Sequence, residues 1–275
     1  MSPGSTARIG VERLGRYQLL ERIGGGATSV VYAAHDDAMD RRVAVKMIVA
    51  ELEDERETRE RFYREAKVTS QLLHRDIVTV LDIGEDQGHP FIVMELLDGW
   101  PLGVYLARHA QRTMATSLDL ISQLCAGLQA AHDRGVVHRD IKPSNLFVRR
   151  DGCLKILDFG LARLQASTLT AMGQIVGTPD YMSPEQASGE KVDARSDIFS
   201  ASAVSYLILT GRAPFTGPDL RKTLDALLNK DPAPLTDAEA PSALRAVLNK
   251  GLAKDQARRY QSSAEMLVDV QAVRA

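Results

Sequence analysis

A glycine-rich stretch and a lysine near the start of the chain could bind phosphate groups. Residues 23–32 read IGGGATSVVY, and glycines in a turn between two strands let backbone N–H groups approach phosphate oxygens without a Cβ in the way. The stretch VAVK places Lys46 on a strand opposite this turn, where an ammonium can hold phosphate oxygens. Glu65, on a predicted helix, can orient this lysine and keep it charged. The residues predicted to contact the phosphates are Ile23, Gly24, Gly25, Gly26 and Lys46.

Two further motifs, in the middle of the chain, complete this chemistry. Residues 138–145 read HRDIKPSN and residues 158–160 read DFG, in an order and spacing that resemble the protein kinase family. By this resemblance Asp140 accepts the proton of the substrate hydroxyl, and Lys142 neutralises the γ-phosphoryl group of ATP in flight. Asn145 and Asp158 correspond to ligands of Mg²⁺, with Mn²⁺ as an alternative. Phosphoryl transfer needs charge neutralisation and in-line positioning, and these side chains supply both.

The same resemblance predicts an adenine site around the stretch PFIVMELLDG. Met94 corresponds to the gatekeeper, and Glu95 to Leu97 correspond to the hinge whose backbone pairs with the purine edge. The residues predicted to sandwich the ring are Val31, Ala44 and Phe147. Ordinary core packing explains these positions as well. Phe147 is bulkier than the aliphatic residue usual in the family, and Ser29 replaces the third glycine of the loop.

Within the kinase family, three features resemble the bacterial, eukaryotic-like serine/threonine branch. They are Lys142, the stretch GTPDYMSPEQ, which is similar to a substrate-docking segment, and the stretch ARRYQSSAEM. The resemblance implies that Thr178 contacts the catalytic loop and that Asp197 braces it. It also implies an ion pair between Glu185 and Arg259. The expected activity is a non-specific serine/threonine protein kinase, with serine and threonine hydroxyls of proteins as substrates.

Two other classes of protein share part of this pattern. A pseudokinase scaffold would keep the fold and bind partners without catalysis. The residues that such a scaffold would have been expected to lose are intact: Lys46, Glu65, Asp140, Asn145 and Asp158. A small-molecule or aminoglycoside kinase shares the phosphate machinery but lacks the docking segment.

Arg139, immediately before Asp140, suggests control by phosphorylation. Kinases with this dipeptide commonly need a phosphate to neutralise the arginine and to order the segment between DFG and SPE. The candidate acceptors, in order of preference, are Thr170, Thr168 and Ser167. Thr170 is preferred because its distance from Thr178 resembles that of the self-phosphorylated threonines of the bacterial family.

The small lobe carries three residues that resemble a dimer contact. Related bacterial kinases pair back to back through this face, and Arg16, Met39 and Asp82 fall at matching positions. The predicted interaction is an arginine–aspartate pair beside an apolar contact in a homodimer. Three unrelated surface residues explain the pattern equally well.

Composition limits the partners and the location. The chain of 275 residues has 34 Lys and Arg against 36 Asp and Glu, so no global basic field attracts nucleic acid or an anionic membrane. Cys125 and Cys153 lack the spacing of a disulfide framework or a zinc site and fit a reducing cytoplasm. No leader or membrane-spanning segment is predicted. We expect a cytoplasmic protein, or the cytoplasmic domain of a longer, membrane-anchored one.

The elements that position these residues fall into two groups. Short β-branched runs predict an antiparallel sheet at residues 17–23, 30–35, 43–49, 77–83 and 91–96. One helix interrupts the sheet, because apolar or small residues recur at helical spacing at Phe62, Ala66, Thr69 and Leu73. Beyond Pro101, a helix is predicted at residues 118–134, with Ser117 as its N-cap. Further helices are predicted at residues 196–210, 220–229, 242–252 and 262–273.

These groups predict an α+β, bilobal protein kinase fold. It has a small antiparallel β-sheet lobe with one key helix and a larger, mainly helical lobe, since a chain of this length is near the point where one core divides into two. Residues 1–14 are predicted to be a flexible arm. Residues 15–97 would form the ATP-binding lobe, and residues 98–275 the lobe with the catalytic loop, the activation segment and the substrate-docking segment.

Overall fold

The computed structural model describes residues 13–25, 29–48, 55–86, 88–159 and 179–274 of the chain. The chain divides into two compact units. The first unit comprises Met1–Ser70 and Thr79–Leu97, and the second comprises Gln71–Val78 and Asp98–Ala275. None of the helices within the described ranges is long and apolar enough to cross a membrane.

Within the described residues, the first unit is an antiparallel sheet of six strands with one helix. Its strands are β1 (Arg13–Leu14), β2 (Tyr17–Gly25), β3 (Ser29–Asp36), β4 (Arg41–Ile48), β5 (Val80–Asp86) and β6 (His89–Glu95). They lie in the order β1-β2-β3-β4-β6-β5. Helix α1 (Glu55–Ser70) lies between β4 and β5 in the sequence. Of the helical pattern, Phe62, Ala66 and Thr69 are buried, whereas Leu73 lies beyond the helix and is exposed.

The two faces of this sheet carry different kinds of residue. Side chains alternate between the faces along each strand, and one face forms the apolar core of the unit. This core consists of Leu14, Tyr17, Val30, Ala34, Val43, Val45, Met47, Phe91 and Val93. The neighbouring positions on β3, β4 and β6 therefore belong to the opposite face. They include four residues predicted to bind nucleotide: Val31, Ala44, Lys46 and Met94.

The first unit begins earlier than the sequence predicted. Arg13 and Leu14, assigned to a flexible arm, form strand β1 instead. Leu14 pairs with Tyr17 in β2 and is 1% exposed. Burial of this leucine in the core of the sheet explains why the strand forms.

The sequence predicts that residues 71–78 belong to the small lobe, but they belong to the second unit. Val78 N–H donates to the carbonyl of Ile156 at 3.0 Å, and Ile156 N–H donates to the carbonyl of Asp76 at 2.8 Å. Ile77, predicted to start a strand, forms only an isolated bridge to Ile156. Leu72 and Ile77 are buried in the core of the second unit, so backbone bonding and apolar packing both hold the segment there.

The second unit is mainly helical. Its helices are α2 (Leu102–Arg108), α3 (Met114–His132), α4 (Pro184–Ser188), α5 (Ala194–Thr210), α6 (Leu220–Asn229), α7 (Ser242–Gly251) and α8 (Ser263–Ala272). A small antiparallel sheet joins β7 (Gly99–Pro101), β8 (Leu146–Arg149) and β9 (Leu154–Ile156). Sequence analysis missed this sheet and helix α2, because such short elements show no clear periodicity.

Helix α3 begins earlier than its predicted start at Leu118. Thr113 rather than Ser117 is its N-cap, and Thr113 Oγ1 accepts the Thr116 N–H at 3.2 Å. Ser117 is buried inside the helix and donates its hydroxyl to the Thr113 carbonyl at 3.3 Å. Both residues are good N-caps. The extra turn forms because Met114 packs against the core of the unit, a contact without a local sequence signal.

A buried ion pair joins α4 to the loop that follows α7. Arg259 Nη1 and Nη2 donate to Glu185 Oε1 and Oε2 at 2.7 and 2.8 Å, and Ser196 Oγ donates to Oε1 at 2.5 Å. The guanidinium also donates to three backbone carbonyls. Burial raises the pKa of the Glu185 carboxyl, but the bonds from Arg259 and Ser196 outweigh burial and hold this pKa below its ordinary value.

Removing the charge of Glu185 should destabilise the second unit. We expect Glu185→Gln to lower the free energy of unfolding by about 3–5 kcal/mol at neutral pH, because Arg259 would stay buried without its counter-ion. Ser196→Ala, the control, removes one bond to a charged group and should cost about 1–3 kcal/mol. Urea unfolding of the three proteins measures both values.

The pH dependence gives a second check on Glu185. Its folded pKa lies below the ordinary value of 4.5, so the carboxylate stabilises the fold above that pH and the contribution disappears as pH falls through the folded pKa. The gap between wild type and Glu185→Gln should therefore close in acid. Equal stability of the two proteins at pH 7 would contradict the role assigned to the pair.

Candidate active site

In the first unit, one row of the sheet aligns residues predicted to bind phosphate. Gly24 in β2 pairs with Val31 in β3, Val31 pairs with Lys46 in β4, and Lys46 pairs with Ile92 in β6. Cross-strand partners project from the same face of a sheet. The Lys46 side chain thus lies on the face opposite the apolar core, in register with the glycine-rich turn. Lys46 is only 4% exposed, a rare degree of burial for an ammonium group.

The end of β2 accepts only glycine at one position. Gly25 has φ +152°, and a Cβ there would lie 2.8 Å from the carbonyl oxygen of Ser29. No side chain fits so close to another backbone segment. Ile23, two residues before Gly25 in the same strand, is 49% exposed. Gly26 lies outside the described residues.

The residues predicted to bind adenine are divided between the units. In the first unit Ala44 pairs with Met94, and Glu95 N–H donates to the Thr79 carbonyl at 3.0 Å. Glu95 can therefore offer a purine only its carbonyl oxygen, whereas Leu97 lies beyond β6. Phe147 lies in β8 of the second unit and is half-buried between two fully buried neighbours.

In the second unit, the carboxylate of Asp140 is held by two neighbours in its own loop. Asn145 Nδ2 donates to Asp140 Oδ2 at 2.8 Å and to the Asp140 carbonyl at 2.8 Å. Lys142 Nζ lies 2.7 Å from the same Oδ2. Because these contacts converge on Oδ2, Oδ1 is the atom that can meet a substrate hydroxyl. The Asp140 side chain is 27% exposed, so it is accessible from solvent.

Asp197, at the start of α5, holds the backbone that leads into Asp140. Its Oδ2 accepts the His138 N–H at 2.7 Å, and its Oδ1 accepts the Arg139 N–H at 2.7 Å. His132 Nε2 lies 2.9 Å from Oδ2. Arg139 has φ +67°, a left-handed conformation that costs a non-glycine residue about 1–2 kcal/mol. Such strain persists only where several contacts impose it.

His138 links this loop to the DFG motif. Its Nδ1 accepts the Asp140 N–H at 3.2 Å, and its Nε2 lies 2.7 Å from the Leu157 carbonyl. Since a carbonyl oxygen can only accept, Nε2 is the donor in the contact with Leu157. The ring also packs at 4.6 Å against Phe159, the aromatic residue of DFG. The histidine is therefore a fixed connector between the two motifs.

Asn145 and Asp158 are suited to holding a hard cation. The Asn145 amide nitrogen faces two oxygen acceptors of Asp140, which leaves the amide oxygen as the ligand atom. Leu157 N–H donates to the Asn145 carbonyl at 2.9 Å, and this bond brings Asp158, the next residue, close to Asn145. Mg²⁺ is usually held by one or two carboxylates together with substrate phosphates, so this pair of oxygen donors fits it.

The remaining predicted site residues lie in helix α1 or outside the described ranges. Glu65 lies within helix α1. The predicted phosphorylation and docking residues outside the described ranges are Ser167, Thr168, Thr170 and Thr178. Sequence reasoning missed the roles of His132, Ser196 and Gln186. Only Gln186 had a local signal, the spacing Ser-x-x-Gln of a helix capping box.

Two residues of the predicted dimer contact, Arg16 and Asp82, form an ion pair with each other within one chain. Arg16 Nη2 lies 3.2 Å from Asp82 Oδ2, and Arg16 Nε lies 3.1 Å from Asp36 Oδ1. Tyr17 donates its hydroxyl to Asp82 Oδ2 at 2.5 Å. Met39 is 63% exposed. The arginine–aspartate pair therefore forms without a second copy.

Comparisons with known proteins identify the family of this chain. The protein kinase domain family matches residues 17–270. The chain is 38% identical to the serine/threonine-protein kinase PknA of Mycobacterium tuberculosis, with all of this chain and 64% of that protein aligned. It is also 38% identical to the probable serine/threonine-protein kinase PknB of Corynebacterium glutamicum, with 93% of this chain and 42% of that protein aligned. The chain thus spans only part of the length of these curated relatives.

The crystal structure of the kinase domain of Mycobacterium tuberculosis PknI has the same fold. It is 25% identical, with a TM-score of 0.75, and the match covers 98% of this chain and 100% of that one. The predicted α+β kinase fold is confirmed. The chain belongs to the protein kinase family, as a catalytic domain of the bacterial, eukaryotic-like serine/threonine branch.

Proposed function

We propose that this domain transfers the γ-phosphoryl group of ATP to serine and threonine hydroxyls of proteins through Asp140. This proposal rests mainly on one observation: Asn145 and Lys142 both contact Oδ2 of Asp140 and so orient its carboxylate. A general base must reach the proton that it abstracts, and the remaining oxygen of a fixed, accessible carboxylate meets this need. The names of the bacterial relatives support serine and threonine as acceptors.

Lys142 has a second role in this proposal. Its ammonium lies 2.7 Å from Asp140 and is 36% exposed, so it can contact a phosphate while it stays near the base. Positive charge at this point would stabilise the charge that develops on the transferred group. The lysine thereby couples the position of the base to the position of the phosphoryl group.

The nucleotide-binding residues follow from the first unit. Lys46 and the glycine-rich turn would hold the phosphates, and Val31, Ala44 and Met94 would contact adenine, because these four side chains lie on the sheet face opposite the apolar core. Asn145 and Asp158 would hold Mg²⁺ or Mn²⁺. When bound, the cation would neutralise charge on the phosphates.

Partners and location are proposed on chemical grounds. Cys125 and Cys153 are free and buried, which fits a reducing compartment such as the cytoplasm. The near balance of 34 basic against 36 acidic residues argues for protein substrates recognised by local contacts rather than for nucleic acid.

Two substitutions separate proton acceptance from phosphate binding. Asp140→Asn should lower kcat by about 10²–10⁴-fold, because it removes the base but keeps the shape of the side chain, while the Kd for ATP stays close to that of wild type. Lys46→Met should raise the KM for ATP or abolish activity, because it removes a phosphate contact. Steady-state kinetics and calorimetry with ATP measure both effects. Near-normal turnover in Asp140→Asn would contradict the assignment of the base.

Autophosphorylation is the proposed control. Within the described residues the Arg139 guanidinium forms no ion pair, so it is available to a phosphate. Incubation with Mg²⁺ and ATP should place phosphate on Thr170, Thr168 or Ser167, with Asp140→Asn as the inactive control. Mass spectrometry locates the sites, and phosphatase treatment should reduce kcat. Full activity with alanine at all three positions would show that the segment is ordered by other contacts.

We propose a back-to-back homodimer through Arg16, Met39 and Asp82, with Met39 as the apolar contact. The intrachain bonds of Arg16 to Asp36 and Asp82 would present a preformed polar rim to a second copy. Met39→Glu should therefore weaken association. The control is Val268→Glu in the second unit, because Met39 and Val268 are equally exposed, at 63%. Sedimentation at high concentration decides: identical monomers in all three samples would rule out the dimer.

A further inference from the structure

Gln186 contacts two parts of the second unit with the two ends of one amide. Its Oε1 accepts the Ser183 N–H at 3.1 Å and the Ser183 hydroxyl at 3.0 Å, which caps helix α4. Its Nε2 donates to the carbonyl of Arg139 at 2.6 Å. An amide is suited to this task because it has one accepting and one donating end. The cap alone would need only the oxygen.

The bond to Arg139 acts on the peptide unit that precedes the proposed base. In the peptide between Arg139 and Asp140, the carbonyl oxygen is held by Gln186 and the N–H is held by His138 Nδ1 at 3.2 Å. A peptide unit is planar. Fixing both of its polar atoms therefore fixes the orientation of this peptide plane and, with it, the N–Cα bond of Asp140. Asp197 holds only the preceding N–H groups. Among the described residues, Gln186 is therefore the side chain that bonds to this carbonyl.

We propose that Gln186 is a positioning residue for phosphoryl transfer, which orients Asp140 through the Arg139 carbonyl. The proposal rests on the role of Asp140 as the base. Since α4 lies in the segment that resembles a substrate-docking element, this bond also ties the geometry of that segment to the geometry of the base. A loss of the bond should slow the chemical step, while the binding of ATP and of peptide is retained.

Gln186→Glu is the sharpest variant, because it separates the two functions of the amide. A glutamate at this position keeps an acceptor for the capping box but has no donor for the Arg139 carbonyl when it is ionised. We expect the single-turnover rate to fall by about 10–100-fold at pH 7.5, the range in which small misplacements of catalytic groups affect rates. The KM values for ATP and peptide should change less than about threefold.

The pH profile provides a readout that a purely structural role would not produce. A protonated carboxyl can donate to the Arg139 carbonyl, as the amide does. The ratio of the wild-type rate to the Gln186→Glu rate should therefore decrease as the pH is lowered towards the pKa of the introduced carboxyl. A constant ratio across the pH range would count against the donor role.

Thr113→Ala is the matched control for stability. Thr113 caps α3 in the same unit, and its side chain bonds Thr116, so this variant loses a cap without touching the catalytic loop. It should lower Tm and leave the single-turnover rate unchanged. The proposal is overturned if Gln186→Glu reacts at the wild-type rate, if only its peptide KM changes, or if its rate falls merely in step with Tm. Normal turnover by Asp140→Asn would instead overturn the assignment of the base.

Discussion

The carboxylate of Asp197 is the constraint on which the catalytic loop depends. It is 1% exposed and accepts the N–H groups of two successive residues, His138 and Arg139. A buried charge is stable only when it is fully bonded, and here the donors are the backbone of the loop itself. The carboxylate thus imposes the left-handed conformation of Arg139, and the loop in return satisfies the carboxylate. These bonds fix the backbone that leads into Asp140 and Asn145, and thereby the positions of both residues.

The first turn of α5 contacts both the buried ion pair and the catalytic loop. Ser196 and Asp197 are adjacent in the chain, yet Ser196 bonds Glu185 of the buried ion pair, whereas Asp197 bonds the catalytic loop. The positive end of a helix dipole favours a carboxylate at this point. Two networks of buried polar groups therefore share one helix terminus. The N-terminus of α5 can anchor both networks rigidly, because the remainder of the helix is almost entirely buried.

In the first unit, the two faces of the sheet carry different kinds of residue. Apolar residues of β3, β4 and β6 fill the core on one face, and Lys46 lies on the other among small residues such as Ala44. Alternation of side chains along each strand makes this arrangement automatic. The strands that build the core therefore also position Lys46, the residue proposed to bind phosphate.

The sequence by itself determined the family, strands β2 to β6 of the first unit and the candidate site residues, because these depend on local periodicity and on motifs of fixed spacing. Only the tertiary structure revealed that Gln186 holds the Arg139 carbonyl 47 positions away and that residues 71–78 pack with the second unit. It likewise selected Thr113 over Ser117 as the cap of α3. Such choices rest on contacts between residues far apart in the chain, and a single sequence carries no local signal for them.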